Sequence, residues 1–290
     1  MIVDPGAPEV TPPVVVTSPD GWLRATVDEL HAGVVLSVNY TASTPLPGVA
    51  GVRKVRIMRK DTAAPVAVPV RSADTAWAVG GAGSAYDHEA PLGIPVIYTA
   101  VPLFEDGTSG PSSSLALTVP APAPPADVWI KSLDEPGLSA RVTVLAWPAL
   151  KWSSRIDTAE VEGSPFPAAA QDVYGAAGSS ITIDAEGEEI AALERLLTTP
   201  GVRLIQTGPA SHRTDQYVLF SDPEQTLDGA PDASRTYSAG VLQVARPATA
   251  GQPLRIPGWS FNALAEAFET FDAVTASYSS FASLAVNGAL

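Results

Sequence analysis

The 290 residues include 17 Lys and Arg against 31 Asp and Glu, a formal net charge of −14 that excludes nucleic-acid binding through a basic surface. The 28 prolines and 23 glycines stand beside 46% hydrophobic residues, so turns are frequent and packed cores affordable, and both an all-helical chain and disorder throughout are excluded. With no cysteine there is no disulfide, thiolate zinc site or cysteine nucleophile.

At about 150 residues per domain the length suggests two domains. The opening residues, Met1 to Gly6, lack the basic patch and apolar core of a signal peptide. No apolar run approaches the roughly 20 residues that span a bilayer. The expectation is a soluble chain made in the cytoplasm without membrane insertion.

From Gly21 to Val119 short strand-like runs alternate with turn residues. Strands are expected at Trp22–Val27, Val34–Tyr40, Val52–Arg59, Ala64–Val70, Ile94–Phe104 and Ser113–Val119, with Gly80-Gly81-Ala82-Gly83 as a flexible loop. Seven or so strands in this length suggest an antiparallel sandwich. Tyr98-Thr99-Ala100-Val101, followed by Glu105-Asp106-Gly107 and Ser109 to Ser113, resembles the last hairpin of a fibronectin type III domain. Tyr40 stands where that family often keeps a large aromatic. Val96 falls near its corner tyrosine, so either the corner hydrogen bond is missing or Tyr98 supplies it in another register.

The prolines of residues 121–127 predict a semi-rigid extended linker between domain 1–120 and domain 128–248. In the second domain, strands are expected at Val128–Ile130, Arg141–Trp147, Ile156–Val161, Ser180–Ile183, Val202–Gln206, Gln216–Phe220 and Ser238–Val244, with a turn at Gly163-Ser164-Pro165. Ile190, Leu193, Leu196 and Leu197 repeat at helical spacing behind Glu188 and Glu189, and Pro200-Gly201 follows, which predicts a helix over about 187–198. The fold class is therefore mainly β: a sandwich, then an antiparallel α+β barrel or sandwich with one helix.

Residues 249–290 form the third part, expected to be a tail of short helices. From Trp259 the chain repeats with a period of ten: Ser260, Thr270 or Ser280 as N-cap, then Phe261, Phe271 or Phe281, then Leu264, Val274 or Leu284 three residues on, with Phe268 and Tyr278 closing the first two copies. Ten residues are not a whole number of turns of about 3.6, so one straight helix would scatter the aromatics around its circumference, and separate capped turns are expected instead.

Catalytic and metal-binding patterns are weak. His31, His88 and His212 have no partner at helical spacing. Ser211-His212-Arg213-Thr214-Asp215 reads as a polar loop, since a hydrolytic triad is assembled from distant segments. Asp87-His88-Glu89 reads as a polar turn, and Asp184, Glu186, Glu188 and Glu189 as acids at a helix start. Asp222, Glu224, Asp228 and Asp232 lack the spacing of a calcium loop. Arg53, Lys54, Arg56, Arg59 and Lys60 make a basic stripe, read as a solvated edge or a protein contact. No catalytic residue, cofactor site or metal site is expected.

The repeated tail resembles the C-terminal segments of minor tail proteins of tailed bacteriophages infecting actinobacteria. Asp87-x-Glu89-Ala90-Pro91-Leu92-Gly93 with Tyr98 is similar to a recurrent turn in those proteins, and Ile181 to Ile183 through Leu193, Leu196-Leu197 and Arg203 to Ile205 is similar to their central domain. Phe261, Phe271 and Phe281 stand where the family often has Trp. The resemblance implies a non-catalytic structural protein of the virion tail tip or baseplate, contacting tail tube, hub and neighbouring minor tail proteins in a three-fold or six-fold homo-oligomer. The interface expected is Trp259, Phe261, Leu264, Phe268, Phe271, Val274, Tyr278, Phe281 and Leu284. The alternative is a receptor- or carbohydrate-binding tail protein recognising a host surface glycan, for which Trp77 or Tyr86 would be the exposed platform.

Overall fold

Polarity alternates along most of the first 120 residues, and in a pleated strand this sends apolar side chains to one face. The computed structural model, which describes residues 13–41, 45–62, 66–227, 234–248, 264–265, 267–268, 270–278 and 284, turns this pattern into strands. The chain divides into two units, one of residues 1–120 with 249–290 and the other of 121–248.

In the first unit the strands are β1 (Val15–Thr17), β2 (Leu23–Asp28), β3 (Gly33–Asn39), β4 (Val52–Asp61), β5 (Val68–Pro69), β6 (Ala76–Trp77), β7 (Ala82–Asp87), β8 (Pro95–Phe104) and β9 (Ser113–Thr118). Two antiparallel sheets result, β1-β2-β3-β7 and β5-β4-β8-β9, with β6 also on β4. Between them lie Leu23, Ala25, Val27, Val34, Leu36 and Val38 from the first sheet, and Val55, Ile57, Val96, Ala100, Leu115 and Leu117 from the second. Tyr40, fully buried, meets the edge of Trp22 with ring centroids 5.7 Å apart. The glycine-rich loop expected at 80–83 is shorter than predicted: Gly80 and Gly81 turn at positive φ, but Ala82 and Gly83 already pair with Asn39 and Val38 in β7.

The second unit contains β10 (Asp127–Ser132), β11 (Ser139–Ala146), β12 (Lys151–Trp152), β13 (Ile156–Ala159), β14 (Ala168–Gln171), β15 (Ala177–Ala185), α1 (Glu189–Thr198), β16 (Arg203–Thr207), β17 (Gln216–Leu227) and β18 (Arg235–Gln243). At the end of the proline stretch the chain turns, the Asp127 amide donating to the Pro124 carbonyl at 3.1 Å. Strands run in the order β11-β10-β16-β17-β18-β15, and β15 pairs back onto β11, so the sheet closes on itself and its edges disappear. Ile130, Val142, Ile181, Ile183, Ile205 and Val218 form the core with Leu193, Leu196 and Leu197 of α1.

Helix α1 is held at its C-terminal end and at mid-length. Arg203 is buried and donates from Nε to the Leu196 carbonyl at 2.9 Å and from Nη2 to the Thr199 carbonyl at 2.6 Å. These bonds satisfy carbonyls that the helix end leaves open, with a cation at the negative pole of the dipole. Glu194 on the same helix accepts from the Tyr237 hydroxyl at 2.8 Å and from Arg235 at 3.1 Å, fixing α1 against β18.

Strands β13 and β14 stand apart from the barrel as a two-stranded sheet of their own, paired from Ile156 with Gln171 to Ala159 with Ala168. Every residue from Lys151 to Tyr174 is exposed. In the tail, Leu264, Ala265, Ala267 and Leu284 are helical, and α2 spans Phe271–Ser277. Among the described residues no helix is long and apolar enough to cross a membrane.

Candidate interface and buried ion pairs

The tail repeat has a backbone counterpart. The Phe268 amide donates to the Leu264 carbonyl at 3.0 Å, and ten residues on the Tyr278 amide donates to the Val274 carbonyl at 2.9 Å. Thr270 caps α2, its hydroxyl accepting from the Ala273 amide at 3.3 Å, as expected of a Thr opening a helix. The aromatics that close the two copies, Phe268 and Tyr278, meet edge to face with centroids 5.9 Å apart.

Of the nine expected interface residues, Trp259, Phe261 and Phe281 lie outside the described residues. Leu264 and Val274 are covered by the chain itself, each 9% exposed, and Phe268, Tyr278 and Leu284 are half-buried. Phe271 is different: at the first position of α2 it stands 86% exposed. Among the described residues the set therefore divides into five that the chain covers wholly or in part and one ring, Phe271, that it leaves in water.

Asp87-His88-Glu89 is not the polar turn the sequence suggests. Asp87 ends β7, and all three residues are buried. Arg59 Nη1 donates to Asp87 Oδ1 at 2.9 Å and to Oδ2 at 3.0 Å, the Tyr98 hydroxyl to Oδ2 at 2.9 Å, and the Glu89 amide to Oδ1 at 3.0 Å. Arg71 grips Glu89 in a two-point fork at 3.1 and 3.0 Å. His88 stacks on Tyr86 with rings nearly parallel, and the Tyr86 hydroxyl donates to Asp28, which also faces His31 Nδ1 at 2.9 Å.

These pairs set the protonation of the groups around them. Burial alone would loosen the Arg59 proton, but the carboxylate of Asp87, with Tyr98 and Asp61, reverses the direction and holds the guanidinium charged. Burial, reinforced by the carboxylates beside them, pushes the phenols of Tyr98 and Tyr86 well above their ordinary value. The Asp28 carboxyl, which burial would raise, is held below its usual range by His31 and Tyr86. Chemically the arrangement binds strands: the Asp87 carboxylate at the end of β7 takes donors from β4 and β8, and the Glu89 carboxylate just after it takes Arg71 from the loop after β5.

Arg59 accordingly leaves the basic stripe read from sequence. From Lys54 onward the pairing with β8 is regular, so alternation turns Val55, Ile57 and Arg59 into the core and leaves Lys54, Arg56 and Lys60 on the outer face, while a register shift between Val52 and Lys54 lets Arg53 stay exposed. Tyr86 is no platform, being 2% exposed, whereas Trp77 is 73% exposed with Lys54 Nζ 5.1 Å from its ring centre. The Tyr98 hydroxyl bonds the side chain of Asp87 rather than backbone. His212 is exposed in the loop before β17, where Asp215 accepts from the Thr207 amide at 2.9 Å. Among the described residues no group of three His, Asp or Glu side chains is placed to hold a metal ion.

Compared with protein-family models and with curated proteins, the chain matches none.

Proposed function

We propose that the chain is a structural minor tail protein of a bacteriophage virion, part of the tail tip or baseplate, whose segment 249–290 completes its fold on a neighbouring tail protein. The observation that carries this reading is Phe271, a phenylalanine ring left in water at the start of a capped helix, within a repeat whose other described residues at the expected interface positions are buried or half-buried. A large ring left in water at a regular position of the repeat offers an apolar anchor for an assembly contact.

Two further features support the reading. In the first unit the chain crosses between two facing antiparallel sheets at β3–β4, β6–β7 and β7–β8, which suits a fibronectin type III-like module. The buried carboxylates Asp87 and Glu89 are engaged by guanidinium groups, which suits a structural role rather than proton transfer.

Deleting residues 255–290 and measuring incorporation into particles tests the proposal. Loss of incorporation with an otherwise folded chain is expected; unchanged incorporation with a destabilised monomer would mean that the tail serves only its own domain.

A further inference from the structure

The two-stranded sheet β13–β14 poses a physical problem of its own. An isolated ribbon is marginally stable at best in water, because it buries no apolar face and leaves both edges unpaired. This one also carries Val161 and Phe166 at its tip, Phe166 being 76% exposed, and Val173 and Tyr174 at its base. Its charge is lopsided: Asp157, Glu160, Glu162 and Asp172 against Arg155 alone, which lies 3.8 Å from Asp172. The ribbon is therefore an acidic surface with exposed apolar side chains.

The same chain holds the complementary surface. On the outer face of the sheet containing β4 and β8, alternation places Lys54, Arg56 and Lys60 in one row, opposite Leu103, Val101 and Ile97 of β8. Trp77 of β6 lies beside Lys54, so this face is cationic and apolar although the chain carries a net charge of −14. Among the described residues only Arg56 in that row forms an ion pair, with Asp74 at 3.2 Å, and both are substantially exposed, so the pair exchanges at little cost.

We propose that the ribbon of one copy docks across this basic face of a second copy, with Phe166 and Val161 against Trp77 and the β8 side chains, and Glu160 and Glu162 facing Arg56 and Lys60. Ribbon and face are different surfaces, so the contact is head-to-tail: it generates a ring if the rotation closes and an open chain if it does not. Charge complementarity selects this occupant over the ribbon of the other copy, which would bring like charges together. The contact does not depend on segment 249–290.

A charge-exchange experiment on the full chain tests it. The variant Glu160→Lys/Glu162→Lys reverses the ribbon, and Arg56→Glu/Lys60→Glu reverses the face. Sedimentation velocity at low salt is expected to show concentration-dependent association of the unmodified chain, at least about tenfold weaker in either variant alone. An equimolar mixture of the two variants is expected to associate again, because the reversed ribbon then meets the reversed face. In parallel, Phe166→Cys and Trp77→Cys chains, mixed and oxidised, should form a disulfide between copies, with no native thiol to compete. An unmodified chain that stays monomeric, variants that associate as it does, or a mixture that fails to recover together with no cross-link, would each overturn the proposal. Association surviving both reversals but lost on removing 255–290 would assign it to the tail instead.

Discussion

Arg59 and Asp87 meet across the first unit with one guanidinium nitrogen 2.9 and 3.0 Å from the two carboxylate oxygens, both side chains out of water. Breaking such a pair from one side leaves a buried charge without its partner, a loss of about 3–5 kcal/mol, whereas replacing both by apolar residues costs far less. Asp87→Ala alone is therefore expected to lower the urea midpoint more than Arg59→Met/Asp87→Leu does. Equal or larger loss in the double variant would show that the pair contributes packing rather than charge compensation.

Alkaline pH should unfold the first unit steeply. Tyr40, Tyr86 and Tyr98 have phenol pKa values raised in the folded state, chiefly by burial, so above about pH 10 the unfolded chain releases protons that the folded chain keeps. Stability then falls as pH rises, by about 1.4 kcal/mol per unit for each phenol. Asp28 has the opposite sign: its folded pKa is depressed, so its contribution is present above the unfolded value and lost as pH falls through the folded one. Urea midpoints measured from neutral to alkaline pH should decline past about pH 10, and Tyr98→Phe should soften that decline. A slope that Tyr98→Phe leaves unaltered would contradict the assignment.

Gly33 lies against the Tyr86 phenol so closely that a methyl group there would collide with the ring's oxygen and its carbon. Gly33→Ala is expected to destabilise by about 1–3 kcal/mol through overpacking. Gly33→Ala/Tyr86→Phe should recover part of that loss, since the hydroxyl is the nearest obstacle. Additive losses measured by thermal unfolding would place the strain elsewhere.

Much of the architecture was legible because it rests on periodicity. Val34–Tyr40, Val52–Arg59 and Ser113–Val119 became β3, β4 and β9 within two residues, and the helix at Leu193, Leu196 and Leu197 formed where its spacing and acidic first turn place it. Elements whose signal is tertiary were not legible. β14 is Ala168–Gln171, a short run without alternation, and β6 and β12 are two residues each, defined only by their partners. The burial of Asp87 and Glu89 depends on Arg59 and Arg71, 28 and 18 residues distant, and a charged tripeptide gives no local sign that such partners exist. Among the tail residues the repeat marked Leu264 and Val274 as apolar but could not separate them from Phe271, since all three sit at regular positions and only the folded chain distinguishes the covered from the bare.

That separation makes Phe271 a direct probe of the proposed role. Phe271→Ser should alter monomer stability by no more than about 0.5 kcal/mol, as for other exposed positions, while reducing incorporation into particles. A loss of several kcal/mol in urea titration would show that the ring packs within its own chain.

The absence of cysteine permits the decisive measurement, because Phe271→Cys introduces the sole thiol. Maleimide labelling is expected to be rapid in the purified chain and strongly slowed in assembled particles, where a neighbouring protein covers the site. Labelling equally fast in both states would contradict the account, since the ring would then have no partner to meet.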